Sequence, residues 1–381
     1  MSWRLKPLDE LGYVGRGRSR HRPRDAAHLY GGPYPFVQTG DIKHAGLYLT
    51  EYSQTYSEAG LTQSRLWPSG TLCITIAANI ADTAILRIDA CFPDSVIGFI
   101  PDDKSTDARF VKYLFDALLQ RQYKLFTQGA AQDNLSQAKL LSLKLPVPSL
   151  REQIRIASIL STYDDLIENN RRRIRLLEQA ARLLYKEWFV HFRFPGHKRI
   201  PVTNGVPEGW ERKLLGDVLD VAKGRNITKD SVDEGNVPVV AGGLFPAYNH
   251  STANALGPVV TVSASGANAG YVNLYHEDIW ASDCSYISRT STEYLYYFYL
   301  LLVSKQKEIF GFQKGAAQPH VYPKDLKRLP LLCPANTIVK LFEESVSYNF
   351  LLVERLLSQN KLLAKARDIL LPRLMSGKVE L

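Results

Sequence analysis

One block of this sequence is written twice. Residues 105–148, STDARFVKYLFDALLQRQYKLFTQGAAQDNLSQAKLLSLKLPVP, align without a gap onto residues 291–334, STEYLYYFYLLLVSKQKEIFGFQKGAAQPHVYPKDLKRLPLLCP, with 14 of 44 positions identical. The identities include both Ser-Thr pairs, Tyr113/Tyr299, Phe126/Phe312, Gly-Ala-Ala-Gln and Pro148/Pro334. A period of this length constrains the fold strongly, because each copy must build the same unit. Upstream, SGTLCITIAANIADTAIL (69–86) parallels LGPVVTVSASGANAGYV (256–272), both β-rich runs that enter a small-residue turn. PYPFVQTGDI (33–42) parallels NVPVVAGGLF (236–245), and Trp3 and Trp210 each open a copy. The first copy is about 21 residues longer between its Trp and its Gly-Ala-Ala-Gln, and the surplus includes GRGRSRHRPR (15–24), read as a loop.

Each copy therefore reads as strands, one helix, a glycine-marked loop and a Pro-ended strand: a mixed α/β unit in tandem. The helix is expected to start at the Ser/Thr pair, with Asp107 or Glu293 just inside to complement the helix dipole. The apolar run YLYYFYLLLV (294–303) is too short to span a bilayer and reads as a buried helix.

A long helix closes each copy. Ile156, Leu160, Tyr163, Ile167, Asn170, Ile174, Leu177, Ala181, Leu184 and Trp188 alternate spacings of four and three. That is an a/d seam sustained over more than four heptads. No Pro or Gly interrupts residues 149–194, and Pro195 and Gly196 provide the stop. After a shift of 186 the seam recurs as Phe342, Val346, Asn349, Val353, Leu356, Asn360, Leu363, Leu370 and Leu374, broken only by Arg367. Two helices of about 40 residues, roughly 60 Å each at 1.5 Å per residue, need cover for their apolar seams, and each is expected to cover the other. A pseudo-twofold relation between the copies makes the pair antiparallel, with Asn170 and Asn360 as seam polar residues. They either set register or lie at partly solvated positions. RRRIR (171–175) reads as a solvated helix face or a contact for phosphate or a partner.

The boundaries are accordingly 1–148 for the first globular domain and 149–194 for the central helix. Residues 195–334 follow as linker and second domain, and 335–381 as C-terminal helix and tail. The net charge of +9 and pI of about 9.2 favour a polyanionic partner without proving one. Four scattered cysteines without a C-x-x-C pair exclude a zinc-finger reading and suit a reducing cytoplasm. The opening MSWRLKPLDE has no apolar core, so no signal peptide is read.

PSLREQIRIASILSTYDDLIENNRRRIRLLEQAARLLYKEWFVHF (148–192), VPEGWERKLLGDV (206–218) and ARDILLPRLMSGKVEL (366–381) resemble, respectively, three parts of the specificity subunit of type I restriction-modification systems. These are its central conserved helix, the opening of a target recognition domain and its C-terminal ending. With the repeat, the resemblance covers essentially the whole chain. It implies a tandem α/β duplicate in which two target recognition domains are separated by two long antiparallel coiled-coil helices. Each domain would read one half of a split double-stranded DNA sequence, with the helical pair as ruler. Implied partners are two modification subunits that use S-adenosylmethionine and restriction motor-nuclease subunits that use ATP and Mg²⁺; no cofactor or metal is expected in this chain, and no membrane. One departure is PANTIVKLF in the second copy where the first has PSLREQIRIA: the Leu-x-Glu-Gln opening is lost. If that segment meets a modification subunit, the two docking surfaces are unequal.

A search for catalysis supports a reader without chemistry of its own. GYVGRGRSR (12–20) places Arg where a dinucleotide fingerprint needs its last Gly, and no Walker-type loop occurs. No Asn-Pro-Pro or Asp-Pro-Pro followed by an aromatic occurs, so the amino-methyltransferase pocket is missing. PDDK (101–104) lacks the second spaced acid of a nuclease site and reads as a turn. The competing classes are a self-sufficient DNA methyltransferase or nuclease, and a tandem scaffold that binds only proteins.

For a split duplex target, Arg and Lys suit guanine edges and Asn and Gln suit adenine. Gln132 and Gln318 of the repeated loop are candidates, with Lys314, Asn134 and His320 beside them; the alternative is a turn in which Gln bonds its own backbone. Arg16, Arg18, Arg20, Arg22 and Arg24 alternate with small or polar residues and read as a flexible phosphate-gripping arm. Lys223, Arg225 and Asn226 are the second copy's candidates, followed by Tyr248, Asn249 and Asn268.

Overall fold

A computed structural model describes residues 3–77, 80–126, 136–315 and 318–377. The chain forms two compact units, residues 1–171 with 357–381, and residues 172–356. The division falls inside both long helices, so each unit holds one repeat and half of each helix.

In the first unit a five-stranded sheet is formed by β1 (Gly12–Arg16), β2 (Tyr48–Leu49), β3 (Leu72–Thr75), β4 (Thr83–Leu86) and β5 (Val96–Pro101), in spatial order β1-β5-β3-β4-β2. All pairs are antiparallel except β2 with β4. Strand β3 is buried on both faces, which is why LCIT shows no polar alternation. Its period of two sends Leu72 and Ile74 into one core and Cys73 into another, with Trp67 and Phe92. The first core is closed by helix α1 (Ala108–Phe126), through Phe110, Val111 and Leu114, and by Ile156 and Leu160 of helix α2 (Leu150–Tyr185).

The second unit repeats this plan. Strands β6 (Ala222–Lys223), β9 (Val259–Ser263), β10 (Val272–Tyr275) and β12 (Cys284–Ser288) run in the order β6-β12-β9-β10, matching β1-β5-β3-β4. A second sheet joins β7 (Val237–Val240), β8 (Tyr248–His250) and β11 (Trp280–Ala281). Helix α3 (Leu295–Ser304) is the expected buried helix: every side chain from Leu295 to Leu302 is buried. In each copy the strand after the opening Trp pairs antiparallel with the Pro-ended strand: Arg4–Lys6 with Leu145–Val147, and Glu211–Leu214 with Pro330–Cys333.

Helix α4 (Asn336–Met375) is the second long helix. Inside the first unit Asn170 of α2 meets Asn360 of α4, and Asp164 meets Arg367, so numbers rise along one helix as they fall along the other. Inside the second unit Trp188 packs edge-on to Phe342 at 5.5 Å, in the same antiparallel sense. Arg367, which looks like a break in the seam, lies in it as the partner of Asp164, a buried residue that the a/d pattern passes over in favour of the half-buried Tyr163.

Two local expectations are corrected. The helical starts lie further along than the Ser/Thr pairs. Asp107 itself caps α1, its carboxylate accepting the Arg109 and Phe110 amides at 2.8 and 3.4 Å. In the second copy the cap comes from α4: Glu343 accepts the Tyr296 and Tyr297 amides at 3.2 and 2.9 Å. The central helix does not stay α-helical to 194. It widens into a π-turn at Lys186–Val190 and ends with Phe192 at φ 56°. The reason is aromatic packing, since Phe189, Phe192 and Phe194 surround Trp210 at 5.3–6.0 Å. Separately, the Glu-Gln of the first copy's helix opening makes bonds within the first unit. Buried Gln153 accepts the Asp107 amide and donates to the Ser105 and Pro148 carbonyls, while the Trp3 indole donates to Glu152.

Candidate nucleic-acid interface

In the first unit the arginine stretch is an ordered extension of β1, not a loose arm. The amides of Gly17 and Arg18 donate to the carbonyls of Val96 and Phe92. Extended backbone alternates faces, so Gly15, Gly17 and Ser19 are buried and Arg16, Arg18 and Arg20 are exposed. The glycines are needed for space: a Cβ on Gly15 would lie 2.9 Å from the Trp67 ring, and one on Gly17 2.3 Å from the Pro93 carbonyl oxygen.

The five arginines then divide. Arg16 donates to the Asp94 carbonyl, Arg22 to the carbonyls of Ser19 and His21, and Arg24 to the Asp94 carboxylate at 3.0 Å. Arg18 and Arg20 have no side-chain partner among the described residues, although the Arg20 amide is tied to Gln63. The structure adds Arg65, which the repeat gave no reason to single out. Its guanidinium lies 4.0 Å from the Trp67 ring centroid and 4.7 Å from that of Tyr13, and donates to the Tyr13 hydroxyl at 2.6 Å. The neighbouring Ser64 hydroxyl donates to the Arg18 carbonyl, so Arg65 belongs to the same edge. Gln132 and Asn134 lie outside the described residues.

In the second unit the candidates gather on two flanks of the segment 281–284. On one flank the amides of Gly224 and Arg225 donate to the carbonyls of Cys284 and Ala281. The Trp280 indole donates to the Arg225 carbonyl, and the Tyr248 hydroxyl to the Ile227 carbonyl at 2.6 Å. These bonds bring Lys223, Arg225 and Asn226, all exposed, to half-buried Tyr248 and its exposed neighbour Asn249. On the other flank Ser265 donates to the Asp283 carboxylate, and the turn that carries Asn268 joins the repeated loop through a Gly266 amide to Pro319 carbonyl bond of 3.0 Å.

The repeated loop is closed at its base by paired backbone bonds between Lys314 and His320. Gly315 has φ +101°, and a Cβ there would meet the Gln318 carbonyl oxygen at 2.7 Å. The glycine is thus required by the turn, and Gln318 is left exposed at the loop's end. Lys314 is already engaged: its ammonium donates to the buried Asp325 carboxylate at 2.5 Å. Burial pushes the Asp325 pKa up, but Lys314 and the Tyr322 amide outweigh it and hold the group ionised below the usual range. His320 stacks on Tyr322 at 5.6 Å. Beside these groups the loop 242–245 carries Phe245, 74% exposed, a residue the sequence reading did not single out.

Such surfaces offer charge and amide donors for a polyanion and its base edges. Among the described residues no cluster of His, Cys, Asp or Glu has metal-site geometry, and no helix is long and apolar enough to cross a membrane.

The family model for the type I restriction modification DNA specificity domain matches residues 2–179 and again 207–341. The chain is similar to the type I restriction enzyme MjaIX specificity subunit of Methanocaldococcus jannaschii, 26% identical over 99% of this chain and 93% of the relative. It is similar also to the HindI specificity subunit of Haemophilus influenzae, 23% identical over 97% and 98% of the two chains. Among solved structures, the type I restriction-modification S subunit from M. genitalium matches with a TM-score of 0.57 at 16% identity, covering 98% of this chain and 96% of the other, which is a likeness of fold.

Proposed function

Because the chain belongs to the type I restriction modification DNA specificity family and is a sequence-specificity subunit, we propose that its two repeats read the two halves of a split duplex target. The observation that carries this reading is the double family match, over two repeats of one topology whose exposed side chains differ. Different side chains on one scaffold mean different half-sites. Arg18, Arg20 and Arg65 serve the first, and Arg225, Asn226, Asn268 and Gln318 the second. Arg and Lys that meet phosphates set register and affinity, and the amides read base edges. Lys314 acts chiefly as a positioning residue through Asp325.

In this reading the chain performs no chemistry itself. Modification subunits with S-adenosylmethionine transfer the methyl group, and motor-nuclease subunits with ATP and Mg²⁺ translocate and cut; the complex works in the cytoplasm. Helices α2 and α4 set the spacer between half-sites. Inserting one heptad into each helix at matched positions is expected to lengthen the spacer and leave both half-sites as they were, read by mapping methylated sites in cells carrying the complex. Changed half-sites with an unchanged spacer would refute the ruler.

A further inference from the structure

The two repeats differ in what they bury between the long helices. The 186-residue offset matches Asp164 with Phe350, Asn170 with Leu356, Ile174 with Asn360 and Ala181 with Arg367. In the first unit the members of this set are polar and bonded to one another. Asp164, 7% exposed, accepts from Arg367 of α4 and from the Tyr113 hydroxyl. Asn170, 5% exposed, donates to Gln359 and Asn360 of α4 at 3.0 Å each. In the second unit their equivalents are apolar: Ile174 is buried with Leu356, and Ala181 shares a core with Phe350, whose ring meets Tyr299, the equivalent of Tyr113, edge-on at 5.9 Å. Helix α2 is therefore polar then apolar along its seam, and α4 is apolar then polar.

We infer that these buried polar residues decide which helix pairs with which: they make α2 and α4 partners and reject a second copy of the same helix. A duplicated chain carries two seams of one phase and length, so self-pairing between copies is the competitor that packing alone would permit. Antiparallel α2 on α2 would set Asp164 against Ala181 and Asn170 against Ile174, twice. Each buried carboxylate would lose its guanidinium and each amide its acceptors, which is the repulsive element that pairing specificity needs. Antiparallel α4 on α4 would set Arg367 against Phe350 and Asn360 against Leu356. Parallel α2 on α2 would bring two Asp164 carboxylates together. Antiparallel α2 on α4 sets polar against polar and apolar against apolar, and a single seam amide is known to enforce this kind of choice.

The test uses the full chain, folded with a protease site at the exposed Lys198 and Arg199, then cleaved, so that the two helices are no longer tethered. Fragment exchange under mild denaturant is read by native mass spectrometry. The wild-type protein is expected to give complementary fragment pairs in at least about tenfold excess over pairs of identical fragments, the ratio that 1.4 kcal/mol produces. In the variant D164F/N170L/N360I/R367A, which copies the apolar layers of the second unit into the first, that excess is expected to fall to the statistical ratio. Should the variant not fold, charge exchange decides. A fragment carrying D164R is expected to choose an R367D partner over the wild-type partner by about tenfold or more. Identical-fragment pairs from the wild type at comparable abundance, or a D164R fragment indifferent to its partner, would overturn the inference.

Discussion

Gly315 shows why the second copy's loop needs its glycine. Its φ of +101° is a conformation that costs a side-chain-bearing residue about 1–2 kcal/mol, and the Gln318 carbonyl occupies the place of a Cβ. Gly315→Ala is expected to lower stability by about that much in thermal melts and to weaken binding at the second half-site. His276 makes a prediction about pH. Its ring lies 6.2 Å from that of Phe350, its Nδ1 is buried without a hydrogen bond among the described residues, and burial pulls its pKa from 6.5 down to about 4. The unfolded chain takes up this proton first, so the stability of the neutral form is present above pH 6.5 and is lost as pH falls from 6.5 to about 4. At 1.36 kcal/mol per unit the loss is roughly 3 kcal/mol. Denaturant titrations across that window are expected to show it in the wild type and not in His276→Phe.

Among the elements, the long helices meet inside the first unit through polar groups that a hydrophobic pattern cannot weigh. Asp164 is buried, and its charge is met by Arg367 and the Tyr113 hydroxyl; burial and the neighbouring carboxylate keep that phenol protonated well above its ordinary pKa. Arg367→Ala strands a buried carboxylate and is expected to cost about 3 kcal/mol in urea unfolding. Asp164→Ala combined with Arg367→Ala is expected to cost clearly less than the two single losses summed, since the pair is one interaction. The helix caps show the same preference for tertiary partners. Gln153 braces the start of α1 from α2, and Glu343 caps α3 from α4; the two sit at non-equivalent positions of the repeat. Burial raises the Glu343 pKa against the pull of the Tyr297 and Tyr296 amides and Arg289, so its ionised form is held at some cost.

For the molecule as a whole, a net charge of +9 speaks to phosphate affinity, and the structure says which charges are free to supply it. The side chains of Arg16, Arg22 and Arg24 bond to the protein's own oxygens, while those of Arg18 and Arg20 have no such partner among the described residues. Arg18→Ala with Arg20→Ala is expected to weaken DNA binding by the assembled complex about equally on all sequences. The slope of log K against log salt should fall by about 1.8 if each arginine meets one phosphate. A loss confined to one half-site, with the slope intact, would place these arginines on bases instead.

The duplication, the α/β character of each copy, the antiparallel helical seams and the buried α3 could all be read from the chain itself. They follow from periodicity and from a repeat, and both are properties of order along the backbone. What only the tertiary structure decided was the fate of individual polar groups. Which arginines are spent on Asp94 and backbone carbonyls, that Lys314 is held by Asp325, that Arg367 completes a seam it seems to break, and that an acid one helix away caps α3 all depend on which partner arrives within 3 Å. Hydrogen bonds and buried charges are satisfied by neighbours in space, and a linear pattern carries no record of who those neighbours are.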